Sequence, residues 1–354
     1  MPAQQDQPKT YATALVGFGK IAQGYSQDKV MAKVMEYASH AQVLASHPRL
    51  NWCTVIDPDA KARELAKSAW AIADTQASID KTAHRDEIEL AVLATPPGCR
   101  LDEIKAFPNL KAVLIEKPLA ENLQSSKELI EYCKSRSILV QVNLLRRADI
   151  MTRSLRDGYL VELIGELQAG MCLYGNGLKN NGLHMIDLVR MLFGEIHSVQ
   201  ALSQNTVEES PMPSDCGISF ALTLANRKQS TITFNPVSFK YWRENGLILF
   251  GNDGRFDYLH GGLSLLHYKR AESRMGGGEM EIGHDHPEKL TATMGSALYE
   301  IYDNLLNALS GEEKLCSTGD SALASTAIVD AVFASFHEGG RQKVLKNRAV
   351  NADG

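Results

Sequence analysis

Glu116-Lys117-Pro118 directly follows the apolar run Ala112-Val113-Leu114-Ile115. A lysine held just past a buried strand can hydrogen-bond a reacting hydroxyl. Partial burial there would lower its pKa towards the range useful for proton transfer. The following proline disfavours helix at Lys117 and sets an extended exit from the strand. About a hundred residues earlier stands Gly17-Phe18-Gly19-Lys20-Ile21-Ala22, of the form G-x-G-x-x-A. In that pattern the first glycine permits a tight turn and the second lets the backbone approach a pyrophosphate. The small last residue allows close helix–strand packing, and the phosphates rest on amides at a helix N-terminus. Asp57 ends the next apolar run, Asn51 to Ile56. An acid there can bind the ribose hydroxyls of NAD and repel the extra phosphate of NADP; it can also simply cap a helix before Pro58. Thr95-Pro96-Pro97 is a further strand-end loop that could touch a dinucleotide.

A second chemical cluster runs from Asn180 to Arg190. His184, Asp187 and Arg190 have helical spacing and project near one face. A histidine in the first turn of a helix, with a carboxylate one turn on, can serve as acid or base for a sugar hydroxyl. Packing at a domain junction is the bland alternative for His184, and an N-cap role that for Asn180 or Asn181. Arg146-Arg147 suits an anionic substrate or a solvated surface equally. His284-Asp285-His286 offers one i,i+2 histidine pair, too little for a metal site, and none is expected.

These residues need elements that bring them together. Thr13–Val16, Asn51–Ile56, Leu90–Ala94, Lys111–Ile115 and Ile138–Val142 read as short buried strands, with helical character over 61–73 and 125–135. Strands alternating with helices imply parallel strands joined by right-handed crossovers, a doubly wound sheet whose functional loops share one edge. The spacing from Gly17 to Asp57 is about twice what the dinucleotide motif expects. The excess falls near 24–39, read as an inserted helical segment or a lengthened first helix. Beyond Asn143–Asp149 the pattern changes. Ile218–Leu224 and Gln229–Phe234 read as strands, Asn245-Gly246 and Asp253-Gly254 as hairpin turns, and Tyr299–Leu309 and Ala322–Phe336 as helices.

Composition narrows the possibilities. The chain has 354 residues, 44% hydrophobic and 22% charged, with a formal net charge of −5. That balance is ordinary for a globular protein and lacks the basic excess of a nucleic-acid binder. No apolar run reaches the roughly 20 residues of a membrane span. The polar first ten residues read as a tail rather than a secretory signal. The six cysteines are scattered without zinc-like spacing, so reduced thiols and a cytoplasmic location are expected.

Taken in order, several motifs resemble the Gfo/Idh/MocA (glucose–fructose oxidoreductase / inositol dehydrogenase-like) oxidoreductases. They are Gly17 to Ala22, Asp57-Pro58-Asp59, Ala94 to Pro97, Glu116 to Leu119, Val142-Asn143 with Arg146-Arg147, and His184 with Asp187. The resemblance covers roughly residues 11–340. It implies an α/β chain: a Rossmann domain over 11–143, with a doubly wound parallel sheet, and an α+β domain over 144–354. The second domain would carry a large open, mainly antiparallel sheet for substrate binding and for assembly as a homodimer or homotetramer. It implies NAD(H) or NADP(H), with Asp57 favouring NAD, held by Gly17, Gly19, Lys20, Ile21, Asp57, Thr95, Pro96, Glu116, Lys117 and Asn143. The substrate would be a sugar, cyclitol or sugar derivative, with no nucleic-acid or membrane partner. Lys117 and His184 would be catalytic, with Asn180 and Asp187 beside them. In the family an aspartate commonly precedes the histidine by four residues; here Asn180 stands there. An amide cannot take up a proton as a carboxylate does, so proton transfer would fall to His184 with Lys117, Asn180 orienting substrate. The other reading is a non-catalytic or regulatory NAD(P)-binding protein of the same fold.

Overall fold

The computed structural model describes residues 9–226, 230–273, 278–283 and 285–345. Most of the expected polar tail, Gln229, Gly276, Gly277 and His284 lie outside them. The chain divides into two units, Met1–Ala148 with Gly295–Gly319, and Asp149–Met294 with Asp320–Gly354. Residues 295–319, read from sequence as part of the second domain, therefore fold with the first. The reason is packing: Leu298, Ile301, Tyr302, Leu305 and Leu306 are buried in the first unit's core with Leu15, Leu44 and Leu114.

Unit 1 holds six parallel strands: β1 (Tyr11–Val16), β2 (Leu50–Ile56), β3 (Asp74–Gln76), β4 (Leu90–Leu93), β5 (Ala112–Ile115) and β6 (Leu139–Val142). Their order is β3-β2-β1-β4-β5-β6, the doubly wound arrangement. Every residue of β4 and β5 is buried, as expected for a parallel sheet covered on each face. Helices α1 (His40–Ser46), α2 (Ala60–Trp70), α3 (Arg100–Ala106) and α4 (Leu123–Ser135) belong to the crossovers. Asp59 caps α2 and Asn122 caps α4. β3, α1 and α3 are too short for periodicity to reveal.

The segment after the glycine turn differs from expectation. It is neither a helical insertion nor a longer first helix, but an excursion out of a helix. One turn forms after Gly19, closed by the Gln23 N–H on the Gly19 carbonyl at 3.0 Å. The chain then leaves, makes two single 3₁₀ turns at Gly24–Gln27 and Met31–Lys33, and returns. On return the His40 N–H bonds the Ile21 carbonyl at 3.2 Å and the Ala41 N–H the Ala22 carbonyl at 2.8 Å. α1 thus resumes the hydrogen-bond ladder that Ile21 and Ala22 left open. Joining Gln23 to Ser39 would make both bonds ordinary i→i−4 contacts. Without 24–38 the Gly17–Asp57 separation falls from 40 to 25 positions, near the motif's ~20.

Unit 2 contains α5 (Ile150–Ser154), α6 (Leu160–Ile164) and α7 (Leu183–Phe193), and the long α9 (Gly319–His337); α8 is the unit 1 helix Ala297–Ser310. Its strands are β7 (Leu167–Tyr174), β8 (Ile196–Val207), β9 (Gly217–Leu224), β10 (Thr231–Pro236), β11 (Gly246–Gly251), β12 (Gly254–Leu259), β13 (Ser264–Glu272), β14 (Met280–Ile282), β15 (Glu288–Leu290) and β16 (Lys343–Val344). They form one mixed sheet, order β14-β13-β12-β11-β7-β10-β9-β8-β16 with β15 on β13. The β10–β7 pair is parallel and the others antiparallel. The Asp253-Gly254 signal is a hairpin, joining β11 to β12. Asn245-Gly246 is not: β10 and β11 pair with opposite sides of β7, so the chain between them crosses over. Instead the Asn245 side chain accepts the Gly175 N–H at 3.2 Å. Stacked Phe220 and Phe234, with Tyr174 against each, fill the sheet's buried face.

Candidate functional site

The unit 1 candidates stand in a row, each one step past the end of its strand. Backbone bonds extend the ladders to hold them: Gly17 N–H to the Ile56 carbonyl, Ala94 N–H to Val16, Glu116 N–H to Leu93 and Asn143 N–H to Ile115, at 2.8–3.0 Å. This is the carboxyl edge of the sheet, where open α/β folds bind ligands.

The glycine turn has the properties a pyrophosphate needs. Gly17 has φ +84°, and a Cβ there would lie 2.9 Å from the Ala94 carbonyl, so only glycine fits. A Cβ on Gly19 would meet nothing within 4 Å, leaving the backbone open to close approach. Lys20 is exposed and Ile21 half-buried beside it. Asp57 is bound to the same turn: its carboxylate accepts the Phe18 N–H at 2.6 Å and the Asp59 N–H at 2.8 Å. It is therefore aimed at the turn as well as bracing the start of α2.

Glu116 is held from two sides. The His40 Nε2–H donates to its Oε1 at 3.0 Å, the Asn143 amide donates to the same oxygen, and the Tyr302 hydroxyl contacts His40 Nδ1 at 2.8 Å. A carboxylate only accepts, which places a His40 proton on Nε2. Burial pushes the Glu116 carboxyl up. The His40 hydrogen bond and charge, the Asn143 bond and the Lys117 charge outweigh it, and the net pKa lies below the usual carboxylate value. Tyr302 is driven well above its ordinary value by burial and by the Glu116 charge, so it remains a hydroxyl. Asn143 is 3% exposed, and its Oδ1 has no donor among the described residues. An unsatisfied buried acceptor beside the Glu116-Lys117 turn is what an amide-bearing ligand would complete. With the open Gly19 backbone, this fits a nicotinamide dinucleotide. Thr95 donates its hydroxyl to Glu103 at 2.7 Å, Pro96 is exposed, and Lys117 is half-buried at the start of a cis Lys117-Pro118 peptide.

Sequence reasoning missed His40, Tyr302 and Arg100. The signal for Arg100 was a charged residue one turn before buried Ile104, on a helix's inner face. Tyr302 sits on a helix read into the other domain.

In unit 2, Asn180 and Asn181 lie in a π-helical turn, Leu178–Gly182, before α7, and neither caps it. The cap comes from far along the chain: Asp215 accepts the Lys179 N–H at 2.9 Å and the Asn180 N–H at 3.3 Å. His184 is half-buried in the first turn of α7. Asp187 is 1% exposed and tied to Ser325 of α9 at 2.8 Å and Arg190 at 3.6 Å. Arg190, also buried, grips Glu195, Ser321 and Ser325. These contacts fasten α7 to α9. No group of three or more histidine, cysteine or acidic residues among those described could hold a metal. Among the described residues no two cysteines are joined in a disulfide. Burial pushes the thiol of Cys133 up to about 12.

The doubly wound sheet and the glycine turn at its edge define a chain of the dinucleotide-binding Rossmann class. The chain belongs to the Gfo/Idh/MocA oxidoreductase family: the NAD-binding Rossmann domain of that family matches residues 12–144, and its C-terminal alpha/beta domain residues 170–344. An uncharacterized oxidoreductase of Schizosaccharomyces pombe is 29% identical over 157 residues, 38% of this chain and 42% of that protein. The chain matches less than half the length of its curated relatives. Among solved structures, the WlbA dehydrogenase of Bordetella pertussis, in complex with NADH and UDP-GlcNAcA, superposes with TM-score 0.69 at 17% identity, over 96% of this chain and 99% of that one. A super-repressor mutant of Gal80p from Saccharomyces cerevisiae superposes with TM-score 0.71 at 13% identity, over 95% and 97%. At such identities these two establish the fold. No helix among the described residues is long and apolar enough to cross a membrane.

Proposed function

We propose that the protein is an NAD(P)-dependent oxidoreductase acting on a carbinol or carbonyl carbon of a sugar, cyclitol or sugar derivative. The observation that carries this is the row of strand-end residues, with Lys117 following a Glu116 already fixed by buried partners. The bound cofactor would supply or accept the hydride. Gly17 and Gly19 would cradle its pyrophosphate, with Lys20 and Ile21 alongside; Asp57 would take the ribose hydroxyls, and Thr95, Pro96 and Asn143 would line the nicotinamide end. Lys117 would polarise the reacting oxygen and His184 would move the proton, with Asn180 orienting the substrate. The Asp187 network would keep the His184 helix in place. Sugar-type chemistry is supported by WlbA, which was crystallised with a sugar nucleotide.

The test is turnover, followed as NADH formed or consumed against polyols, sugars and sugar nucleotides. On the substrate found, Lys117→Ala and His184→Ala are each expected to lower kcat by about 10²–10⁴-fold, the worth of general acid–base catalysis. Values within a few-fold of wild type would overturn the assignment. Asp57 favours NAD, so tighter NADPH than NADH binding in titration would refute that preference. Assembly as a homodimer or homotetramer through the unit 2 sheet is part of the reading. Exposed Met171 and Leu202 on its strands support it, and a monomer in light scattering would exclude it.

Likeness to Gal80p favours one second reading, a regulatory dinucleotide-binding protein. It expects NADH binding without turnover of any compound in that panel.

A further inference from the structure

The loops after β4 and β5 meet on one side chain that belongs to neither motif. Arg100, at the start of α3, is 2% exposed. Its Nη2 donates to the Thr95 carbonyl at 2.7 Å. Its Nη1 donates to the carbonyls of Glu116 and Pro118 and lies 3.4 Å from that of Leu119. The carbonyls immediately before and after Lys117 are thus held by one nitrogen, and the neighbouring strand end by the other.

A buried cation is costly unless its donors are met. Here backbone carbonyls accept from both terminal nitrogens, while the buried Nε–H has no partner among the described residues. A planar guanidinium sends its donors out in fixed, diverging directions, which a lysine ammonium cannot copy. Burial pulls its pKa down to about 10, against the opposing pull of Glu116 and Glu103, so it stays charged at neutral pH. His40 and Asn143 fix the Glu116 side chain; Arg100 fixes the main chain on each side of the next residue. Side chain and backbone are secured by separate groups, and the residue between them is Lys117.

We propose that Arg100 is the positioning residue for Lys117, setting the direction in which its amine leaves the sheet edge. This rests on the reading of Lys117 as a group beside the nicotinamide. Placement matters because a shift of about 1 Å at a reacting centre can cost ~10²-fold in rate.

The experiment needs no substrate. The full-length protein is labelled with trace acetic anhydride, with and without saturating NADH. Acetylation of Lys117 is read by peptide mass spectrometry relative to exposed Lys127 on α4. In the wild type, NADH is expected to slow Lys117 acetylation about tenfold. In Arg100→Met and Arg100→Lys, protection is expected to fall below about twofold while NADH still binds within about threefold of wild-type affinity. Arg100→Lys keeps charge and bulk, and is read alone if Arg100→Met does not fold. Wild-type protection in the variants would overturn the inference and leave the Lys117 reading intact. Protection lost in step with NADH affinity would mark Arg100 as a general brace and overturn it too. No protection in the wild type would sink the Lys117 reading, and the inference with it.

Discussion

The two candidate clusters spend their charged residues differently. At the unit 1 edge, Asp57 accepts from the buried Phe18 N–H and Glu116 from the buried His40 and Asn143, yet these acids remain beside the turns that would receive a ligand. In unit 2 the carboxylates are committed to architecture. Asp215 caps the turn before α7, and Asp187 joins α7 to α9 through Ser325 and Arg190. The first cluster is a preorganised edge, and the second a braced helix carrying one histidine. Helical spacing groups His184, Asp187 and Arg190, and the last two also tie α7 to α9.

The sharpest test of that contrast is Asp187→Asn. Breaking a buried ion pair by removing one partner costs on the order of 3 kcal/mol, even with the Arg190 bonds to Glu195 retained. Thermal unfolding should show that loss, while kcat per folded molecule stays within a few-fold of wild type. A folded Asp187→Asn protein with kcat down a hundredfold would make Asp187 catalytic and erase the distinction.

Two glycines probe the other side. Gly17→Ala places a Cβ against the Ala94 backbone at positive φ, so it should lower stability by about 1–2 kcal/mol as well as weaken NADH binding. Gly19→Ala meets open space in the protein. Its stability should stay within ~0.5 kcal/mol, while NADH affinity falls about tenfold because the methyl stands where a pyrophosphate approaches. Unchanged NADH binding in Gly19→Ala would remove the phosphate role from the turn.

Smaller still is the effect expected on deleting Gly24–Ala38. Direct joining of Gln23 to Ser39 restores the i→i−4 ladder through His40 and Ala41, so NADH binding should persist. The lost contacts of Glu36 and Tyr37 with Gly295, and of Tyr37 with Tyr299, should cost no more than ~1 kcal/mol. An unfolded product would show that the excursion is part of the fold.

The same contrast explains what could be read in the sequence. Apart from β3, the unit 1 strands are mainly apolar runs, β4 and β5 buried throughout, ending in glycine, proline or polar residues, so composition gives their ends and places Gly17, Asp57, Thr95 and Lys117 on one edge. His40 eluded that logic because its role depends on a chain that leaves the helix and comes back. Tyr302 eluded it because α8 returns to the first unit after more than a hundred residues. The Asn245-Gly246 misreading has a similar cause: a local turn signal cannot report that β10 and β11 lie on opposite sides of β7. Asp215 caps from over thirty residues away, beyond the reach of any local capping pattern.

His40 offers the finest test, since it separates anchoring of Glu116 from simple burial. In the wild type Glu116 titrates below its ordinary value of 4.5, because the bonds and charges around it outweigh desolvation. A carboxylate depressed by folding adds stability that is fully present above the unfolded pKa and fades as pH falls through the folded one. In His40→Leu the largest opposing contribution is gone, burial dominates, and the Glu116 pKa should rise above its ordinary value. Its charged form then costs stability at neutral pH, a cost relieved as acid protonates it. The wild-type advantage should therefore be widest near pH 7, at about 1–2 kcal/mol, and should narrow towards about pH 4. A gap of constant size across that range would mean that His40 contributes packing to the core and no charge to the edge.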